Sequence, residues 1–219
     1  MSTFTDGAIH KIEYWIEGQQ VPAYAIHGSP AQAVLYALID LVSRRPALCV
    51  AGINFGENLG TGITASGTVG AALEAADGGV PALAVSLETA KEYHFHHSEE
   101  VDFTAAAHFT RYFAARMLTL PLPFDVDVVK VDVPCDATPS TPWRVTRMAR
   151  QRYFQALPSG RRYLDEKRRL GYDTLFDPRT LEPDSDIQAV SVDRIVSVTP
   201  LSLDLTSRIA LQDLEQLLR

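Results

Sequence analysis

The sequence predicts an α/β fold with a mostly parallel sheet flanked by helices. Three observations predict it. Short, almost uninterrupted apolar runs occur at 47–51 and 81–86, and a further strand is expected at 126–133. They alternate with stretches of helical spacing at 30–42, 68–76 and 102–118. A Gly-rich loop, 52–66, leads from the first of these runs to the helix after it. Strands without polar alternation are buried on both faces, and alternation with helices supplies the cover.

Residues 12–16 and 21–26 read as two short strands, with Glu17-Gly18-Gln19-Gln20 as the turn between them. After Gly28 a helix begins: Ser29 can cap it and Pro30 suits its first position. Val34, Leu35, Leu38, Leu41 and Val42 then recur at helical spacing. The second helix, 68–76, opens on small residues and ends at Gly78-Gly79, and 102–118 is amphipathic. From Pro139 the texture turns loop-rich and basic, from Arg144 through Arg147, Arg150, Arg152, Arg161, Arg162, Lys167, Arg168 and Arg169. That stretch predicts an extended hairpin or arm, read either as a solvated arm or as a surface for nucleotide phosphates or an acidic partner. Residues 187–198 predict a return to strand and 206–218 a terminal helix with Leu211, Leu214, Leu217 and Leu218 on one stripe. The organisation expected is a core over 1–138, followed at 139–219 by arm, closing strand and final helix.

The chain has 219 residues, 46% hydrophobic and 21% charged, enough for one large domain. A net charge of −7 argues against a nucleic-acid polymer as partner, since backbone phosphates select a basic surface. A small phosphorylated ligand held by backbone amides remains compatible with that charge. No run approaches a membrane span, and the first residues lack the basic and apolar regions of a signal peptide, so the expected compartment is the cytoplasm. Cys49 and Cys135 sit among apolar neighbours and read as two buried free thiols.

The loop at 52–66 carries the chemistry. Open α/β sheets bind ligands at the carboxyl ends of their strands, where this loop falls. Glycines allow close backbone approach, and the amides of Gly67, Thr68 and Val69 would face an anion at a helix start. Ser66 and Thr68 add hydroxyls, and Asn54 a neutral oxygen suited to a hard cation. A second reading stands beside this one: a structural crossover with Asn54 and Asn58 in turns and Ser66 as a cap. His94, His96 and His97, with Glu99 or Glu100, have the chemistry of a metal cluster, but a solvated strand-to-helix loop is the favoured reading.

The strings themselves resemble the SurE family of phosphatases. Gly52-Ile53-Asn54-Phe55-Gly56-Glu57-Asn58-Leu59-Gly60, followed by Ser66-Gly67-Thr68-Val69, matches the family's signature. Gly28-Ser29-Pro30-Ala31, Trp143-Arg144-Val145-Thr146-Arg147, Ser185-Asp186-Ile187 and Ser197-Val198-Thr199-Pro200-Leu201 match further family strings in order. The resemblance implies a Rossmann-like metal-dependent phosphomonoesterase using Mg²⁺ or Mn²⁺. Its implied substrates are nucleoside 5′-monophosphates and other small phosphate esters. It implies Asn54 as a metal ligand, Ser66, Gly67 and Thr68 around the phosphate, and Gly52, Gly56 and Asn58 as loop support. It also implies a dimer or tetramer joined through C-terminal segments. No catalytic side chain is singled out.

The family's metal also takes two adjacent aspartates and a serine from an N-terminal strand–helix–strand. No Asp-Asp pair occurs in the 219 residues. The expectation is therefore a truncated chain that lacks that unit and does not itself bind the metal. A late start codon or a true short form would both produce it. The alternative function is a catalytically inactive phosphate- or nucleotide-binding protein, or an oligomerisation device.

Overall fold

The computed structural model describes residues 7–95, 98–168 and 170–219. β1 (Ile9–Ile16) and β2 (Gln19–Ile26) pair as an antiparallel hairpin. Its turn is Glu17 and Gly18 alone, both at positive φ, as a type I′ turn requires. Gln19 already pairs with Ile16, so the turn is shorter than the four residues expected. α1 (Pro30–Tyr36) begins with a capping box: the Gln32 amide donates to Ser29 Oγ at 3.2 Å, and the Ser29 amide to Gln32 Oε1 at 2.9 Å. It runs on into a π-helical turn, Ala37–Leu41.

The core follows as β3 (Cys49–Phe55), α2 (Gly67–Asp77), β4 (Ala82–Leu87), α3 (Thr104–Thr119) and β5 (Val128–Val133). β6 (Trp143–Val145), the hairpin β7 (Phe154–Leu157) with β8 (Gly171–Thr174), β9 (Val196–Leu201) and α4 (Leu211–Leu218) complete it. The main sheet has the order β3-β4-β5-β9-β6. β3, β4 and β5 run parallel, β9 is antiparallel to β5, and β6 is parallel to β9.

Alternate residues of β4 serve opposite faces, as the two-residue period of a strand dictates. Leu83, Val85 and Leu87 join Phe109 and Phe113 of α3, while Ala82 and Ala84 join Val69, Ala72 and Ala75 of α2. All six residues of β4 are buried, so the expected two-sided cover is present. A third cluster, Leu59, Ala149, Tyr153, Leu181, Ile187 and Val190, lies under the segment that leaves β3.

Four sequence expectations are corrected. The first strand of the core does not stop at residue 51 but continues through Gly52, Ile53 and Asn54 to Phe55. Its register shifts between Ala51 and Asn54, where Gly52 has φ of +115° and a Cβ would lie 2.3 Å from the Val85 carbonyl oxygen. Only glycine fits that irregularity.

The stretch 187–198 is not one strand. Gln188–Val192 is π-helical and β9 starts at Val196. Asp186 Oδ1 accepts from the Ile187 amide and Ser185 Oγ from the Gln188 amide, which caps a helical turn that apolar content alone disguised. The terminal helix starts at Leu211, because Asp204 Oδ1 accepts from the Thr206 amide and holds that segment in a turn. Finally, Cys49 is half-buried and Cys135 exposed; both are free. Cys135 lies two residues past the end of β5, outside the sheet.

Candidate functional site

Asn54 sits on the last turn of pleat in β3, opposite Ser86 of β4. Its Nδ2 donates to the Gly56 carbonyl at 2.8 Å, which fixes the amide and leaves Oδ1 for a ligand. Gly56 donates its amide to the Leu87 carbonyl at 2.8 Å. Its φ is +100°, and a Cβ there would stand 2.8 Å from His94 Nε2. The glycines expected to let a ligand approach therefore make room for protein: Gly52 for Val85 and Gly56 for His94.

Asn58 is held on three sides. Its amide donates to Asp132 Oδ1 at 2.7 Å, its Nδ2 to Ser86 Oγ at 2.7 Å, and its carbonyl accepts from Lys130 Nζ at 2.9 Å. Asp186 Oδ2 accepts from the Gly60 amide at 3.1 Å, and its Oδ1 from Ala149 at 2.9 Å. Lys130 pairs with both Asp132 and Asp186, and all three side chains are fully buried. Burial alone would strip the proton from Lys130, but the two carboxylates raise its pKa and keep it an ammonium.

Sequence reasoning missed this network. Its signal is visible in β5, Val128-Val129-Lys130-Val131-Asp132-Val133: two charges inside a strand that is otherwise all valine.

At the far end of the loop Ser66 caps α2, its Oγ accepting from the Val69 amide at 3.1 Å. The Val69 amide, expected to face an anion, is thus already used. The first backbone bond of the helix runs from the Gly70 amide to the Ser66 carbonyl, which leaves the Gly67 and Thr68 amides ahead of it. Gly67 is exposed, and Ser66 and Thr68 are half-exposed. The Ser66 hydroxyl accepts one bond and retains its own proton to donate. The arrangement suits a tetrahedral anion: two backbone donors, two hydroxyls and the positive end of a helix.

Glu57 is buried between these elements. Burial raises its carboxyl to about 7, with the negative charges of Glu88 and Asp132 adding to the rise. Its Oε2 has no hydrogen-bond partner among the described residues. Beside it, His94 Nδ1 meets the Tyr172 hydroxyl at 2.7 Å and Nε2 the Thr89 carbonyl at 3.2 Å. His96, His97 and Arg169 lie outside the described residues.

Metal ligation has two candidate places. Glu88, Cys135 and Asp136 bring ligand atoms within 4.8 Å of one another. Arg194 already closes on them, with Nη2 at 2.7 Å from Glu88 Oε2 and 2.6 Å from Asp136 Oδ1. Burial opposes ionisation of Glu88, but the bonds from Arg194 and the Cys135 amide hold its carboxyl below the usual range. At Asn54 the loop offers one neutral oxygen. Mg²⁺ and Mn²⁺ want several oxygens including carboxylate, so the donors placed there by the described residues do not fit such an ion.

A family model for the survival protein SurE matches residues 3–155. The chain is 41% identical over 201 residues to the 5′-nucleotidase SurE of Thermococcus gammatolerans, covering 90% of this chain and 72% of that one. It is 36% identical over 206 residues to the 5′-nucleotidase SurE of Methanothrix thermoacetophila, covering 90% and 75%. The crystal structure of the SurE protein from Aquifex aeolicus superposes with a TM-score of 0.68 at 28% identity, covering 90% of this chain and 76% of that one.

Proposed function

The chain belongs to the SurE family, and on that premise we propose that it is a phosphoric monoester hydrolase acting on nucleoside 5′-monophosphates at the loop from Asn54 to Thr68. The observation that carries the reading is the start of α2. Gly67 and Thr68 present unused amides there, beside a Ser66 hydroxyl that is oriented by its bond to Val69.

Within this reading the phosphate rests on those amides and hydroxyls. They neutralise its equatorial oxygens and hold the ester in one orientation. Asn54 ends the strand that leads into the loop, and its Nδ2 is engaged by the Gly56 carbonyl, which leaves Oδ1 available. A divalent cation would supply Lewis-acid polarisation of the phosphoryl group when bound, with Asn54 Oδ1 as one of its ligands. The other oxygens such an ion needs are not supplied beside Asn54 by the described residues, so no step is assigned to it. Gly52, Gly56 and Asn58 support the loop.

The chain has no helix long and apolar enough to cross a membrane among the described residues. We place it in the cytoplasm, as a dimer or tetramer joined through the C-terminal segment. The exposed leucines of α4 support that assembly.

The test is release of inorganic phosphate from a nucleoside 5′-monophosphate. Asn54→Ala and Ser66→Ala are expected to lower the rate by about two orders of magnitude or more. Rates equal to wild type in both would refute the assignment. No release from wild type, together with a nucleotide-dependent rise in melting temperature in chelator, would make the chain a binding protein.

A further inference from the structure

The hairpin of β1 and β2 is a sheet that no third strand joins among the described residues. β1 is exposed from His10 to Ile16. Ile12, Tyr14 and Ile16 share one face with Val21 and Ala23, and are 44%, 57% and 52% exposed. Trp15, on the other face, is 62% exposed. A two-stranded hairpin is marginally stable in water by itself, and further strands or a packed face are needed to secure it.

The two edges of the hairpin differ. In an antiparallel pair, alternate residues bond the partner strand and those between them face away. The Ala8 carbonyl accepts from the His27 amide at 2.9 Å, which fixes the alternation. Even-numbered residues of β1 therefore bond β2, and Ile9, Lys11, Glu13 and Trp15 turn their amides and carbonyls to the open edge. Pro22 lies across from Glu13 and faces out from β2, where it has no N–H to donate. The outer edge of β1 keeps its donors, and that of β2 is interrupted.

The side chains of β1 complement a second β1. In an antiparallel pair centred on Ile12, Lys11 stands opposite the partner's Glu13, and Glu13 opposite the partner's Lys11. Ile9 meets the partner's Trp15 on that same face. On the other face His10 meets the partner's Tyr14, and Ile12 meets the partner's Ile12. Opposite charges directly across a strand pair stabilise it, and like charges oppose it. The next registers on either side set Lys11 against Lys11, or Glu13 against Glu13, so the charges select one register.

We propose that the open edge of β1 pairs with β1 of a second copy, antiparallel and centred on Ile12, and joins two hairpins into one four-stranded sheet. The pairing rests on the reading of the chain as an oligomer joined through its C-terminal segment, and adds a second contact to that assembly. An edge of eight residues buries far less than the roughly 800 Å² per partner of a stable interface, so the contact at α4 first brings the copies together.

Cross-linking of the full chain, with Cys49→Ser and Cys135→Ser to remove its own thiols, tests the pairing. At its centre the two copies of residue 12 stand about 4.5 Å apart between Cα atoms, within the span of a disulfide. On air oxidation Ile12→Cys should give about fivefold or more the covalent dimer given by Tyr14→Cys, which shares that face but lies across from His10. Adding Lys11→Glu to Ile12→Cys should lower the yield, and adding Glu13→Lys as well should restore it. If Ile12→Cys does not fold, His10→Cys mixed with Tyr14→Cys should cross-link where neither does alone. Equal yields from Ile12→Cys and Tyr14→Cys overturn the pairing. So does an oligomer by light scattering that fails to cross-link, and the C-terminal reading then stands. A monomer that does not cross-link overturns both. An oligomer that survives Leu214→Asp with Leu218→Asp and still cross-links at residue 12 overturns the C-terminal reading and upholds the pairing.

Discussion

Lys130 Nζ lies 3.1 Å from Asp186 Oδ2, joining β5 to a segment 56 residues later with both side chains fully buried. Asp132 shares the same ammonium, so two carboxylates depend on one cation. Through this group the loop between Asn58 and Gly60 is fastened to the centre of the sheet.

Lys130→Met should therefore destabilise the chain by about 3–5 kcal/mol, because it leaves two carboxylates buried without their counter-ion. Urea denaturation checks the magnitude. Amide hydrogen exchange at Asn58 and Gly60 should accelerate more than exchange in α3. A loss under about 1 kcal/mol would show that the charges reorganise and that the loop does not depend on them.

The layered fold was legible because its signals are local. The apolar run of β4, the alternating valines of β5, the Ser29 and Ser66 caps and the spacing of α2 each act within one element. The loop's string led to Asn54, which the fold puts near the end of β3, and to Ser66, which caps α2. The network at Lys130, Asp132 and Asp186 was not, since its partners are brought together only by topology. Glu57 and Tyr153 failed for the same reason: a glutamate in a Gly-rich loop carries no local mark of burial. Residues 187–192 misled because a capped helical turn and a buried strand are equally apolar over six residues.

Glu57 makes stability fall as pH rises. Its carboxyl stands near 7 in the fold, against an ordinary value of 4.5, so the folded chain holds this proton more tightly than the unfolded chain. The stability tied to that proton is complete below about 4.5 and lost as pH climbs through about 7. Above that the charge costs on the order of 3 kcal/mol, from 1.36 kcal/mol for each unit. Glu57→Gln keeps the shape and removes the charge. Its melting temperature should exceed that of wild type at pH 8 and match it near pH 5. A variant with the same pH dependence as wild type would place the titration elsewhere.

Metal should bind this chain weakly. Asn54 offers a single amide oxygen, and the Glu88–Asp136 carboxylates are engaged by Arg194. Mg²⁺ or Mn²⁺ at about 1 mM is expected to move the melting temperature by no more than about a degree, as for a site no tighter than that concentration. Arg194→Ala would free Glu88, Cys135 and Asp136, and only that variant should gain metal-dependent stability. A shift of several degrees in wild type would show that the described donors are not the whole set.

The last prediction concerns assembly. Leu211, Leu214, Leu217 and Leu218 of α4 all face solvent, and Leu205 and Ile209 just before it are exposed as well. A helix of eight residues cannot hold itself together in water, so α4 needs a surface to pack on. Leu211, Leu214 and Leu218 fall at i, i+3 and i+7, one stripe of the helix. Burying such leucines against a second copy would contribute about 1.5–3 kcal/mol for each. Leu214→Asp with Leu218→Asp should lower the mass measured by light scattering from that of a dimer or tetramer to that of one 24.1 kDa chain. The melting temperature should fall and lose its dependence on protein concentration. A wild-type chain that is already monomeric at high concentration would leave the leucine stripe without this role.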